Sequence, residues 1–221
     1  MMNIDLWLDF SCPYCYIGKH NLDIALNEIS PAVRQQIAVN YRSFELDPDV
    51  EGQVFTDVYA QLAHKYHASA DKVKQMTDLA TRMGVEAGLT LDFDKIIPVN
   101  TFKAHQLMQY AQRQETGGVM LVESLYQAYF TWGMDINDED TLCQLAQAAG
   151  LDAEQCRGAL STDTYEKAVR LDEIKAQQLQ INSIPFFIFD NQLVVTGVQP
   201  IEAFLQVIGE CLAAPEGQHT N

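Results

Sequence analysis

Basic residues are scarce in this sequence: fourteen Lys and Arg stand against thirty Asp and Glu in 221 residues, a formal net charge of -16 at pH 7. Such a chain repels phosphate backbones and anionic headgroups, which argues against nucleic-acid and membrane partners. Long hydrophobic runs are also missing, and nothing approaches the roughly 18 apolar residues of a spanning helix. The opening residues Met1 to Asp9 hold no basic stretch and carry Asp5 and Asp9 where a secretion signal would be apolar. A cytoplasmic product is therefore expected. Cysteine is sparse and odd in number, at five, which in a reducing compartment argues against a disulfide framework. Cys143, Cys156 and Cys211 occur singly in helical patterns and read as buried, inert thiols. Only Cys12 and Cys15 lie close together.

Apolar side chains, by contrast, are plentiful. Hydrophobic residues make up 48% and charged residues 20%, which excludes disordered and collagen-like classes. The length suits one large domain or one domain with a substantial insertion. From Ile4 to Phe10 the pattern is that of a strand, ending abruptly at Ser11-Cys12-Pro13-Tyr14-Cys15, where a helix begins and runs to about Glu28. Pro13 suits the first helical position, and Pro31 lies just beyond the helix end. A second strand is expected over Ile37–Leu46. From about Phe55 to Leu179 the apolar period is 3.6, punctuated at Gly84, Gly88, Pro98, Gly117-Gly118, Gly133 and Gly150, with a helix start at Asp152. A stretch that long cannot be a structureless loop, so it is read as a helical subdomain. Ile181–Phe189 and Gln192–Thr196, joined by Asp190-Asn191, read as a hairpin, and Pro200 opens a final helix. The order predicts an α/β fold with a mixed sheet and helices on both faces. Residues 1–50 and 165–214 would form the core, 51–164 the helical insertion and 215–221 a flexible tail.

Two cysteines separated by two residues at a strand-to-helix junction can close a small disulfide ring and open it again. Cys12 would stand at the helix N-terminus, where unpaired N–H groups and the macrodipole favour the thiolate. Cys15, one turn further in, is the natural resolving thiol: Cys12 attacks a substrate sulfur, and Cys15 then attacks Cys12 to release the product. The competing reading makes the pair half of a zinc site or part of a protein-binding module. No second C-x-x-C completes such a site, and His64 and His67 are the remaining candidates for ligands. A second constellation, Ser183-Ile184-Pro185, opens a strand. It is either simple strand entry or a cis proline facing the dithiol, which would free the Ile184 backbone for an incoming extended chain. The methionines at helical spacing, Met76, Met83, Met108, Met120 and Met134, read as core, with an adaptable cleft as the alternative. Phe186, Phe187 and Phe189 are read mostly as core, though alternate members could floor a groove.

Three stretches then carry a resemblance covering about Ile4 to Leu212. They are Asp9–Lys19 (DFSCPYCYIGK), Asn100–His105 (NTFKAH), and Ile184–Phe189 (IPFFIF) with Gly197–Pro200 (GVQP) after it. The chain resembles the thioredoxin superfamily, within it the DsbA-like branch whose fold is interrupted by a helical domain, and most closely the FrnE-type dithiol oxidoreductases. That resemblance implies a thioredoxin-like mixed sheet with a large all-α insertion, a redox-active Cys12 and Cys15, and a cis Pro185 beside them. Pro13, Tyr14, Ile184 and Pro185 are implied to meet the substrate, with Asn100 and His105 bordering the cleft. From the residues alone Asn100 reads equally as an N-cap and His105 as a satisfied core histidine. Related kappa-class glutathione transferases and 2-hydroxychromene-2-carboxylate isomerases carry serine at the place of Cys12. They make a glutathione-dependent isomerase or transferase the alternative function, and they suggest a homodimer. Those relatives also tend to have a Ser-Asp pair where this chain has Val198-Gln199, a change that weakens the case for tight glutathione binding. Strongly oxidising relatives have histidine between the cysteines; Tyr14 here implies an intermediate reduction potential. The expected activity is thiol–disulfide exchange, as dithiol oxidase or isomerase, on a thiol- or disulfide-containing protein or small molecule. No metal is required, the disulfide is the working cofactor, and glutathione stands as a candidate co-substrate.

Overall fold

The computed structural model describes residues 1–48, 55–114 and 118–213. Gly117, the proposed boundary at residues 50 and 51, and the expected tail at 215–221 lie outside the described residues. Strand β1 (Met2–Leu8) leads through a short loop into helix α1 (Pro13–Glu28). Pro31 was expected to mark only the end of α1, but it opens a short helix α2 (Pro31–Arg34), because the Ser30 hydroxyl accepts from the Val33 amide and Pro31 needs no amide partner. Strand β2 (Ile37–Ser43) runs parallel to β1, with Met2 opposite Ile37 and Leu8 opposite Ser43. It stops three residues short of the expected Leu46, whose amide is instead taken by the Asp9 carboxylate at 2.6 Å.

The insertion follows: α3 (Val58–Tyr66), α4 (Ala70–Glu86), α5 (Phe102–Ala111), α6 (Gly118–Gln127), α7 (Glu139–Ala148) and α8 (Ala153–Leu160). The 3.6 period thus forms helices, and Asp152 caps α8 through the Gln155 amide as its sequence suggests. Gly84 does not punctuate. It lies inside α4, where a Cβ would come within 2.8 Å of the Leu91 side chain, so its role is close packing. The sequence pattern also gives no sign of the π-helical turn Ala128–Trp132 that extends α6 and ends at Gly133 (φ 63°). Helix α9 (Asp163–Gln178) returns the chain to the sheet. The strand expected from Ile181 begins only at Phe186. Strand β3 (Phe186–Phe189) pairs antiparallel with β1, β4 (Leu193–Thr196) pairs antiparallel with β3, and α10 (Ile201–Ala213) closes the core. Asp190 and Asn191 turn the hairpin with φ of 50° and 57°, a left-handed conformation their short polar side chains tolerate.

The sheet order is β2-β1-β3-β4. Central β1 is buried almost throughout because helices cover both faces. Ile4, Leu6 and Leu8, with Phe187 and Phe189, belong to the large core that includes Leu22 of α1 and Phe204 of α10. Trp7 points the other way, packing with Ala176 and Ile181 against Phe186 and Ile188. This is a thioredoxin-like mixed sheet with an all-α insertion, and it brings the end of β1, the N-terminus of α1 and the entry to β3 to one edge of the insertion.

Candidate active site

The loop between β1 and α1 is built around Asp9. Its carboxylate is 1% exposed and accepts three hydrogen bonds, from the Ser11 amide (3.2 Å), the Ser11 hydroxyl (3.1 Å) and the Leu46 amide (2.6 Å). Its carbonyl accepts from the Cys12 amide at 3.1 Å and from the buried Tyr126 hydroxyl at 3.1 Å. Burial pushes the Asp9 carboxyl up, but neighbouring His105 and the Leu46 amide outweigh it and hold the group below its ordinary value. The loop therefore turns about a carboxylate that stays ionised, and it delivers Cys12 to the N-cap position of α1.

Cys12 has extended backbone (φ -95°, ψ 109°), Pro13 follows as the first helical residue, and the Cys12 sulfur accepts from the Cys15 amide at 3.3 Å. Both thiols are free. Cys15 is fully buried, and burial together with Cys12 pushes its thiol well above the ordinary value. Cys12 instead lies on the wall of a cavity of about 280 Å³, shared with Pro13, Tyr14 and Ile184. Cys12 thus borders the cavity, whereas Cys15 is buried behind it, one turn into α1. Burial and the neighbouring Cys12 raise the Tyr14 phenol, so it stays protonated at neutral pH.

The Ile184-Pro185 peptide bond is cis. Pro185 is buried against Gly18 of α1, its carbonyl accepts from the Gly197 amide at 2.8 Å, and Ile184 is left partly exposed on the cavity. Neither the amide nor the carbonyl of Ile184 makes a backbone hydrogen bond among the described residues. The structure thus brings together Cys12, Pro13, Tyr14 and Ile184, with Cys15 and Pro185 packed behind them. Asn100 and His105 are not themselves on the cavity wall, although Val99 and Thr101, on either side of Asn100, are. Asn100 opens α5 by accepting from the Phe102 amide (2.8 Å) and donating to Glu45 (3.3 Å), one residue ahead of the formal N-cap Thr101. His105 does not reach the cavity. It is fully buried behind Asp9, with its ring 5.0 Å from that of Phe10 and Nε2 3.5 Å from Asp9 Oδ1.

Most of the rest of the wall comes from the insertion: Val58 and Leu62 of α3, Met76 and Ala80 of α4, and Tyr129 and Phe130 of the π-helical turn, with Leu46, Asp47, Asn182 and Ser183 completing it from the core. The helical spacing of the insertion residues identifies a buried face but not whether another helix or a cavity buries it. Of the five methionines only Met76 lines this cavity, and Met120 is mostly exposed. Phe186, Phe187 and Phe189 take no part in the wall. The cation on the wall, Lys65, donates to the Leu46 carbonyl at 2.9 Å and lies 3.9 Å from Asp47. For the zinc alternative, His64 packs on Phe55 and His67 ends α3 in a left-handed conformation. No group of metal-ligating side chains occurs among the described residues, and no helix there is long and apolar enough to cross a membrane.

The model of the DSBA-like thioredoxin domain matches residues 3–209. The chain belongs to this family. A probable DsbA oxidoreductase from Streptomyces coelicolor is similar over all of this chain and 94% of its own, with 31% identity and a TM-score of 0.87. An uncharacterized protein of Bacillus subtilis, YwbO, is 25% identical over 95% of this chain and 96% of its length. The cytosolic disulfide reductase DsbM from Pseudomonas aeruginosa, solved with glutathione, shares the fold (16% identity, TM-score 0.63, 96% of this chain and 100% of that one). Within the DSBA-like family the site described here therefore occupies a shared scaffold, while most of its cavity wall comes from the helical insertion.

Proposed function

We propose that this DSBA-like protein is a thiol–disulfide oxidoreductase that works through Cys12 and Cys15. The observation that carries the reading is the division of labour between the two sulfurs: Cys12 is at the helix N-cap and on the cavity, and Cys15 is buried one turn behind it. The Cys12 thiolate attacks one sulfur of a substrate disulfide, forming a mixed disulfide and expelling the other half as a thiolate. Cys15 then gives up its proton and attacks the Cys12 sulfur, closing the internal disulfide and releasing the second substrate thiolate. Run in reverse, the same steps oxidise a substrate dithiol. Tyr14 and Pro13 flank the attacking sulfur, and the free backbone of Ile184 offers an extended substrate chain one amide and one carbonyl.

The substrate is a protein or small molecule carrying a thiol or disulfide, with an apolar group beside the sulfur to enter the cavity lined by Leu62, Met76, Ala80 and Phe130. The working cofactor is the disulfide itself, and glutathione is the natural redox partner in a cytoplasmic setting. A homodimer is carried over from the relatives' resemblance alone.

The test is the Cys12–Cys15 equilibrium in graded glutathione buffers, read by thiol-trapping mass spectrometry on the wild type and on Cys12→Ser. An internal disulfide that forms reversibly in the wild type is the expected result. If none forms, and Cys12→Ser keeps full activity toward a glutathione conjugate, the protein is a glutathione-dependent transferase or isomerase instead.

A further inference from the structure

We infer that His105 is a positioning residue of the redox reaction, acting through Asp9 by taking up a proton when the Cys12–Cys15 disulfide is reduced. The inference rests on the oxidoreductase reading above. Its basis is an imidazole with 0% exposure whose two ring nitrogens both have no hydrogen-bond partner among the described residues. Buried polar atoms are nearly always bonded, so an unbonded pair needs an explanation. Nε2 stands 3.5 Å from Asp9 Oδ1, close enough for the two charges to couple and too long for a firm hydrogen bond. A proton placed on this ring would meet a carboxylate that is itself 1% exposed.

The surrounding charges leave Asp9 with little other compensation. On the β2 side Glu45 is ion-paired with Arg170 of α9, and Arg170 is shared with Glu173. From α6 and the π-helical turn, Tyr126 and Tyr129 present phenols that burial keeps protonated, and Tyr126 donates to the Asp9 carbonyl rather than to the carboxylate. Lys65 is held at Leu46 and Asp47. Phe10 covers one side of the imidazole. Asp9 is thus stabilised by neutral donors from Ser11, Leu46 and Thr101 and, when the imidazole is protonated, by His105.

Reduction changes this balance. A dithiol substrate that becomes a disulfide supplies two electrons and two protons. The electrons cleave the Cys12–Cys15 bond, one proton goes to the Cys15 sulfur, and Cys12 is left as a thiolate beside the Asp9 loop. Asp9 is already among the charges that raise the buried Cys15 thiol, so a further anion in this region adds to the repulsion there. The second proton, taken by His105 instead of being released to water, offsets that repulsion. By linkage, the reduced protein binds this proton more tightly than the oxidised one, and a protonated His105 favours reduction to the same extent.

The test measures the glutathione equilibrium constant for reduction of the internal disulfide from pH 6 to pH 8 in the wild type and in His105→Gln. The slope of its logarithm against pH is expected to be lower in the wild type by up to about one, a tenfold difference per pH unit for one linked proton. Equal slopes overturn the role of His105 while leaving the oxidoreductase reading intact, whereas the absence of any internal disulfide removes both. Should His105→Gln fail to fold, the assigned His105 imidazole resonance is titrated in the oxidised and reduced wild type. A higher midpoint in the reduced protein is expected, and identical midpoints overturn the inference.

Discussion

The Cys15 amide donates to the Cys12 sulfur across 3.3 Å, and the Cys12 carbonyl accepts from the same amide at 3.2 Å. The first turn of α1 thereby holds the outer sulfur directly over the inner residue. The inner thiol is fully buried and pushed well above its ordinary value, so it contributes nothing until Cys12 carries a substrate. Cys15→Ser should therefore still form the mixed disulfide but release it slowly. Its lifetime should lengthen by at least about tenfold, because an intramolecular attack is replaced by a bimolecular one. Cys12→Ser should form no mixed disulfide at all. Trapping with a chromogenic aromatic disulfide followed by intact-mass measurement separates the two, and equal adduct yields from both variants would refute the assigned order.

Gly18 couples the two halves of the site. It lies one turn beyond Cys15 on α1, and a Cβ built there would stand 3.0 Å from Pro185 Cγ and 3.3 Å from the tip of Phe187. Contacts this short require Pro185 to move, and Ile184, which faces the cavity, moves with it. Gly18→Val should lower the second-order rate of disulfide exchange by about tenfold through displacement of the substrate-facing loop. The accompanying loss of stability should be about 1–3 kcal/mol, the usual cost of overpacking. Steady-state rates and urea unfolding measured on the same preparation check this. A full exchange rate at reduced stability would show that the contact is structural only.

These two residues also mark what a reader of the sequence can and cannot extract. The strand-to-helix junction, the cap position of Cys12 and the buried Cys15 are local consequences of DFSCPYC, and they are legible because Pro13 and the apolar period fix where α1 begins. The helical insertion is legible for the same reason. Asp9 is different: its bonds reach Ser11 two residues away but also Leu46 beyond the end of β2, and no periodicity predicts a contact across 37 positions. The cavity is illegible in a similar way, since Val58, Met76 and Phe130 look like any helical core until three elements fail to close on one another. His105 shows both limits. Its motif draws attention to it, yet its place behind Asp9 rather than on the cavity depends on how α5 is seated against the end of β1.

The joint between the core and the insertion offers a pH-dependent measurement. Lys19 of α1 has a side chain only 2% exposed, and its ammonium lies 2.8 Å from Asp23 and 2.6 Å from Glu123 of α6. Glu123 also accepts from the Tyr16 hydroxyl at 2.8 Å and from Gln127 at 3.0 Å. Burial alone would raise this carboxyl, but the Lys19 charge and these hydrogen bonds outweigh it and leave the group below its ordinary value. A carboxyl depressed in the folded state stabilises the protein fully above its unfolded value, near 4.3 for glutamate, and this contribution is lost as the pH falls through the lower folded value. Glu123→Gln removes the charge that faces buried Lys19 while keeping the shape. It should cost about 1–3 kcal/mol at pH 7, the range for leaving a buried polar group short of its partner. As the pH falls below the unfolded value and then through the lower folded one, the wild type also loses the carboxylate charge, so the difference between the two proteins should shrink progressively over that range. Urea unfolding of both proteins at pH 7, 5 and 3.5 measures this directly, and a gap that stays constant over the series would mean that Glu123 acts through its shape and not its charge.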